Sequence, residues 1–142
     1  MIHLGDVSKV NGADIEPVDV ITFGSPCQDM SIAGKRAGIK HTGNDDEKTT
    51  RSGLFMEAVR IIKEMREATH GRYPTFAVWE NVPGAFSSNN GEDFRLVLEE
   101  LAKIVEPTCT MPQMPKGGWP YADRYMGDGW SVAYRTLDAQ FW

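Results

Sequence analysis

The sequence predicts an α/β domain built on a parallel sheet, and three observations carry that expectation. Two short apolar runs, residues 18–23 and 75–82, each end in turn residues, Gly24-Ser25-Pro26 and Pro83-Gly84. Stretches with apolar residues at helical spacing alternate with them, and residues 130–137 then alternate as a third strand. The resulting order, strand, loop, helix, strand, helix, loop, strand, favours parallel pairing with right-handed crossovers.

The first run, Val18-Asp19-Val20-Ile21-Thr22-Phe23, is β-branched and short, as a buried strand is, and whatever follows its turn is displayed at its carboxyl end. From Asp29 to Ser52 the chain turns polar, with Gly34, Gly38 and Gly43, the basic pair Lys35-Arg36 and the acidic Asp45-Asp46-Glu47. No period survives there, and loops of that length are either functional lids or disordered segments. Leu54, Ala58, Ile61, Ile62 and Met65 then predict a helix over residues 53–69, with Glu57/Arg60, Arg60/Glu64 and Lys63/Glu67 as charge pairs on its outer face. After Gly71 and Pro74 comes the second strand, with Trp79 in its core. Asn90 or Gly91 opens the next helix, Glu92 and Asp93 occupy its first turn, and Phe94, Val97, Leu98, Leu101, Ile104 and Val105 make its apolar stripe up to Pro107. Residues 107–129, rich in proline and glycine, are expected to be an irregular loop in which Trp119, Tyr121, Tyr125 and Trp130 form a local cluster rather than stack on bases.

Composition narrows the function. The 142 residues are 41% hydrophobic and 25% charged, as in an ordinary globular domain, and 15 Lys+Arg against 20 Asp+Glu give a net charge of −5. That balance argues against a general basic coat for nucleic acid, though not against a local basic patch. Apolar runs are too short for a membrane span and the N-terminus is no signal peptide, so a soluble, cytoplasmic chain without a membrane partner is expected. Two separated cysteines and three scattered histidines suggest neither a disulfide framework nor a metal site. Cys109 has no motif around it, and a thiol redox role for Cys27 lacks a nearby resolving cysteine.

In open parallel sheets the ligand site lies outside the carboxyl ends of the strands. Cys27 falls just past the first strand and Glu80-Asn81 close the second. Taken alone, Cys27 reads as a small buried hydrophobe, the commonest fate of a free cysteine, and Glu80 as a solvated strand end or ion-pair partner. Asp6, after Gly5, reads as a turn or helix cap, and Asn81 as a group that orders the strand end.

The wording around these residues adds more. Gly24-Ser25-Pro26-Cys27-Gln28 resembles the Pro-Cys-Gln nucleophile motif of the DNA cytosine-5 methyltransferases. Other blocks follow in that family's order: Leu4-Gly5-Asp6 before the strand, Arg51-Ser52-Gly53-Leu54-Phe55-Met56-Glu57 opening the helix, Glu80-Asn81-Val82, the helix 93–101, and Leu137-Asp138-Ala139. The resemblance implies a Rossmann-like, class I S-adenosylmethionine-dependent methyltransferase sheet over residues 1–142, with a mobile catalytic loop at about residues 28–52. It implies that the Cys27 thiolate adds to carbon 6 of a cytosine flipped out of double-stranded DNA, while Glu80 donates to ring nitrogen 3. Partial burial of Glu80 would help by favouring its protonated form. By the same resemblance Asp6, Val7, Pro26 and Leu54 contact S-adenosylmethionine, and Gln28, Ser31, Lys35, Arg36 and Asn81 contact DNA.

The resemblance is also partial. The family's Gly-rich Phe-x-Gly-x-Gly loop does not precede Asp6, and the Gln-Arg-Arg-like segment and target recognition domain do not follow Trp142. The sheet is therefore expected to be incomplete and the isolated chain inactive. A fragment of a larger enzyme is favoured over half of a split enzyme completed by a complementary chain, or a remnant. A non-catalytic, methyltransferase-derived interaction module is the rival function.

Overall fold

The computed structural model describes residues 1–25, 51–138 and 140. They fall into two units, Met1–Val82 and Pro83–Trp142.

In the first unit, strand β1 (Val20–Gly24) leads by way of helix α1 (Arg51–Ala68) to strand β2 (Phe76–Glu80). The two strands pair in parallel, Val20 with Phe76 through Gly24 with Glu80. Alternation turns Phe23 and Trp79 to the α1 side, where Phe55 meets both rings, 6.1 Å from Phe23 and 6.0 Å from Trp79 between centroids. The buried stripe of α1 is Phe55, Val59, Ile62 and Met65. Ile62 and Met65 are buried as expected, but Phe55 and Val59 take the buried places expected of Leu54, Ala58 and Ile61, because Phe55 packs on the aromatic side chains of the sheet. Each of these buried side chains contributes about 1.5–3 kcal/mol relative to exposure.

The other flank of α1 is covered by the N-terminal segment, which makes tight helical turns at Val7–Lys9 and Gly12–Asp14. The Gly12–Asp14 turn lies so close that a Cβ on Gly12 would run into Ile61 O. The charged residues expected to be solvated on this flank therefore face protein instead. The opposite face of the β1–β2 pair stays open: Val20, Phe76 and Val78 are 47%, 63% and 51% exposed. Among the described residues each of these strands pairs only with the other.

In the second unit, helix α2 (Glu92–Ala102) starts at Gly91, whose φ of +80° suits a residue without a Cβ. Asp93 accepts from Ser88 Oγ at 2.6 Å in the first turn. The helix is buried on more sides than a stripe predicts: Leu96, Val97 and Leu98 are all enclosed, as are Arg95 and Glu99. Glu99 takes Arg95 and Lys103, at 2.5 and 2.7 Å, and the backbone N–H of Met111, which binds the following segment to the helix. Removing one partner of such a buried pair costs about 3–5 kcal/mol.

The stretch expected to be loop over residues 107–129 contains strand β3 (Ala122–Gly127), which pairs antiparallel with β4 (Trp130–Arg135). β4 thus joins a hairpin, and among the described residues it does not extend the parallel sheet. Ala122-Asp123-Arg124-Tyr125-Met126-Gly127 is a poor strand former by composition, and pairing with β4 overrides that preference. Phe86, Phe94, Trp119 and Tyr134 form an aromatic cluster that differs from the one expected: Trp119 belongs to it, but Tyr121 stands 83% exposed and Trp130 Nε1 donates to Glu106 instead. Burial there pushes the Tyr134 phenol up to about 12, so its ring is neutral at physiological pH.

The contact at Gly12 gives a direct test. Gly12→Ala is expected to destabilise the chain by about 1–3 kcal/mol through overpacking against α1. An unchanged urea midpoint would contradict the close approach.

Candidate active site

The in-register parallel pair brings both strand ends together. Gly24 lies beside Glu80, and Glu80 Oε2 sits 3.5 Å from where a Cβ on Gly24 would be, so the carboxylate rests over bare backbone. Glu80 is exposed rather than partly buried, because it shares the open face with Val20, Phe76 and Val78.

Ser25 is the group that sequence reasoning missed. It is buried, and its hydroxyl accepts from Trp79 Nε1 at 3.0 Å and from Asn81 Nδ2 at 3.4 Å. Asn81 Nδ2 also donates to Ser25 O at 2.9 Å, while its Oδ1 accepts from Val82 N at 2.8 Å. Asn81 thus orders the strand end as expected, and it does so by gripping the residue two positions before Cys27. The only sequence signal for this was a small polar residue closing a strand. Pro26, Cys27, Gln28, Ser31, Lys35 and Arg36 lie outside the described residues, as does most of the 28–52 loop.

A second group of candidates lies on the N-terminal flank of α1. Asp6 caps the Val7–Lys9 turn, with Oδ1 accepting from Ser8 N at 3.0 Å and Ser8 Oγ at 2.8 Å. These two donors, the backbone one foremost, hold its carboxyl below the ordinary range. Its other oxygen has no hydrogen bond among the described residues, so the capping role leaves an ionised acceptor facing solvent. Val7 is fixed by Arg60, which donates to Val7 O at 3.1 Å and Val10 O at 2.8 Å from a guanidinium that also pairs with Glu57 and Glu64. Glu64 in turn accepts from Gly12 N at 2.7 Å. Leu54, at the edge of exposure, lies six residues before Arg60, ~9 Å along the helix axis.

The sequence model of the family described as C-5 cytosine-specific DNA methylase matches residues 1–105. The chain belongs to that family. Over 98% of its length it is 33% identical to a protein of Escherichia phage P1 named DNA N-6-adenine-methyltransferase, of which it covers 20%. It is 29% identical over 96% of its length to the type II methyltransferase M.BsuFI of Bacillus subtilis, and 36% identical over 70% to M1.ScrFI of Lactococcus lactis. It covers 24% and 22% of those two, so the chain spans about a fifth to a quarter of the relatives it matches. For a cytosine methylase family member, the parallel and antiparallel sheet fragments are consistent with part of a Rossmann-like methyltransferase fold. No described helix is long and apolar enough to cross a membrane.

The Arg60–Glu64 clip makes a pH prediction. Glu64 is held below the ordinary glutamate value by the Gly12 N–H and then by Arg60. The stability it lends is complete above that ordinary value and is lost as pH falls through the lower folded one. The Gly12 amide proton, followed by NMR, is expected to titrate with a midpoint below the ordinary glutamate value. A midpoint at or above it would sink the clip.

Proposed function

We propose that this chain carries the nucleophile and the proton-donating half of a DNA cytosine-5 methyltransferase site. The observation that supports it most is the β1–β2 register, which sets Glu80 and Asn81 beside Gly24 and Ser25, the residues leading into Pro26-Cys27. In this reading the Cys27 thiolate adds to carbon 6 of a flipped-out cytosine, and the ring electrons move toward carbon 5. Glu80 donates a proton or strong hydrogen bond to nitrogen 3 as negative charge develops there. S-adenosylmethionine, when bound, would supply the electrophilic methyl group that carbon 5 takes up, its sulfonium sulfur keeping the bond pair and leaving as a neutral thioether. Loss of the carbon 5 proton to a base then expels the thiolate and leaves 5-methylcytosine. Gln28, Ser31, Lys35 and Arg36 contact the DNA in this reading, and the 28–52 loop closes over the flipped base.

The residues present fit one end of that cofactor. Asp6 retains an ionised, unoccupied acceptor oxygen suited to an adenine amino group, and Val7 is clipped to α1 beside it. Pro26 and Leu54 complete an apolar lining in the proposal. No Phe-x-Gly-x-Gly loop lies within the 142 residues, so the isolated chain is expected to bind S-adenosylmethionine more weakly than micromolar. Calorimetry giving micromolar affinity would reverse that expectation.

The open apolar face formed by Val20, Phe76 and Val78 favours a second reading, in which a complementary chain completes the sheet and this chain acts as half of a split enzyme or as an interaction module. One experiment separates these readings. The chain is substituted for the matching segment of the Lactococcus lactis relative, and transfer of labelled methyl groups to DNA is measured with base analysis of the product. The enzyme reading expects 5-methylcytosine, abolished by Cys27→Ser and slowed roughly 10²–10⁴-fold by Glu80→Gln. Transfer surviving Cys27→Ser, or label on adenine as the name of the phage P1 relative suggests for that protein, would refute it. A folded, DNA-binding but inert chimera would favour the module.

A further inference from the structure

The family match ends at residue 105, and the β3–β4 hairpin lies beyond it. We infer that the solvent face of this hairpin is an accessory site for the phosphate backbone of duplex DNA, centred on Arg124 and Arg135. The inference rests on the DNA-substrate reading above and adds a contact surface outside the matched part of the chain.

Strand alternation divides the hairpin into two unlike faces. Trp130, Val132 and Tyr134 point to the protein side, where Tyr134 meets Phe94 at 4.9 Å between centroids and Trp130 Nε1 donates to Glu106 at 2.7 Å. The other face holds Ala122, Arg124 and Met126 on β3, and Ser131, Ala133 and Arg135 on β4, all exposed. No acidic residue belongs to it. Asp123 lies on the opposite face next to Tyr125, Asp128 is in the turn, and Asp138 accepts from Gln140. The Arg124 and Arg135 side chains make no ion pair or hydrogen bond among the described residues, in contrast to Arg60 and Arg95, which are each tied to two glutamates.

Arg124 is opposite Ala133, and Arg135 is opposite Ala122. Each guanidinium therefore stands beside a methyl group, and nothing on the facing strand covers it. The two arginines are diagonal neighbours, with Cα atoms ~7–8 Å apart, and the aromatic packing beneath holds both on a rigid strand pair. Two cations left uncompensated among the described residues, on an exposed face that otherwise holds Ala122, Met126, Ser131 and Ala133, suit a regularly spaced polyanion, and Ser131 adds a neutral donor. The net charge of −5 does not oppose this, because contact is governed by the local field.

The test uses the 142-residue chain and a fluorescent duplex of about 25 base pairs, with affinity measured by anisotropy across salt concentrations. Arg124→Gln with Arg135→Gln is expected to weaken binding roughly 10–100-fold at low salt and to reduce the slope of log K against log salt by about 2. The corresponding double lysine variant should keep the slope, and so should Arg72→Gln, which removes one exposed charge from the other unit. An unchanged slope in the double glutamine variant, no duplex binding by the parent chain, or binding to phosphatidylserine vesicles in place of DNA would each overturn the inference. Cys27→Ser ends methyl transfer under the proposed function but should leave this binding intact, so the two readings fail separately.

Discussion

The parallel pairing of β1 with β2 in a single register is the constraint on which the candidate active site depends. It places Gly24 against Glu80 and lets Asn81 reach back to Ser25. A slip of one residue would turn Glu80 toward Phe55 and bury a carboxylate in an aromatic contact, while Trp79 would swing out to solvent. The packing of Phe23, Phe55 and Trp79 therefore selects the register, and the register sets the chemistry at the strand ends. Two hydrogen bonds from Asn81 and one from Trp79 then hold Ser25, each contributing on the order of 1 kcal/mol.

Both helices solve the problem of tying down a loop with an arginine bracketed by glutamates. On α1, Arg60 bridges Glu57 and Glu64 and spends its remaining donors on the carbonyls of Val7 and Val10. On α2, Arg95 bridges Glu92 and Glu99, and Glu99 receives the Met111 N–H. In each case the helical spacing of three and four residues puts the charges on one line, and a backbone segment distant in sequence completes the network. The difference is burial. Glu99 is almost wholly enclosed, so its network has a larger penalty for a missing partner than the half-exposed one around Arg60.

Much of this was legible in the residues. Helix α1, strand β2 and helix α2 follow from periodicity and stop signals, and the blocks at Leu4-Gly5-Asp6, Pro26-Cys27-Gln28 and Glu80-Asn81-Val82 pointed to the family. Strand β3 was not legible by propensity, although Asp128-Gly129 between Gly127 and Trp130 is the two-residue turn signal that marks the hairpin. Ser25 and Arg60 were invisible as positioning groups, since their partners are 50 or more residues away.

The sequence by itself determined most of the element types and pointed to the family, because periodicity, turn chemistry and short motifs are local properties of the chain. Only the tertiary structure decided which side of α1 is buried, that the N-terminal turns lie against Arg60 and Glu64, that Glu80 is open to solvent, and that the last strand belongs to a hairpin. Each of these depends on which distant surfaces meet, and van der Waals fit and hydrogen-bond partnership between remote segments leave no periodic trace in the sequence.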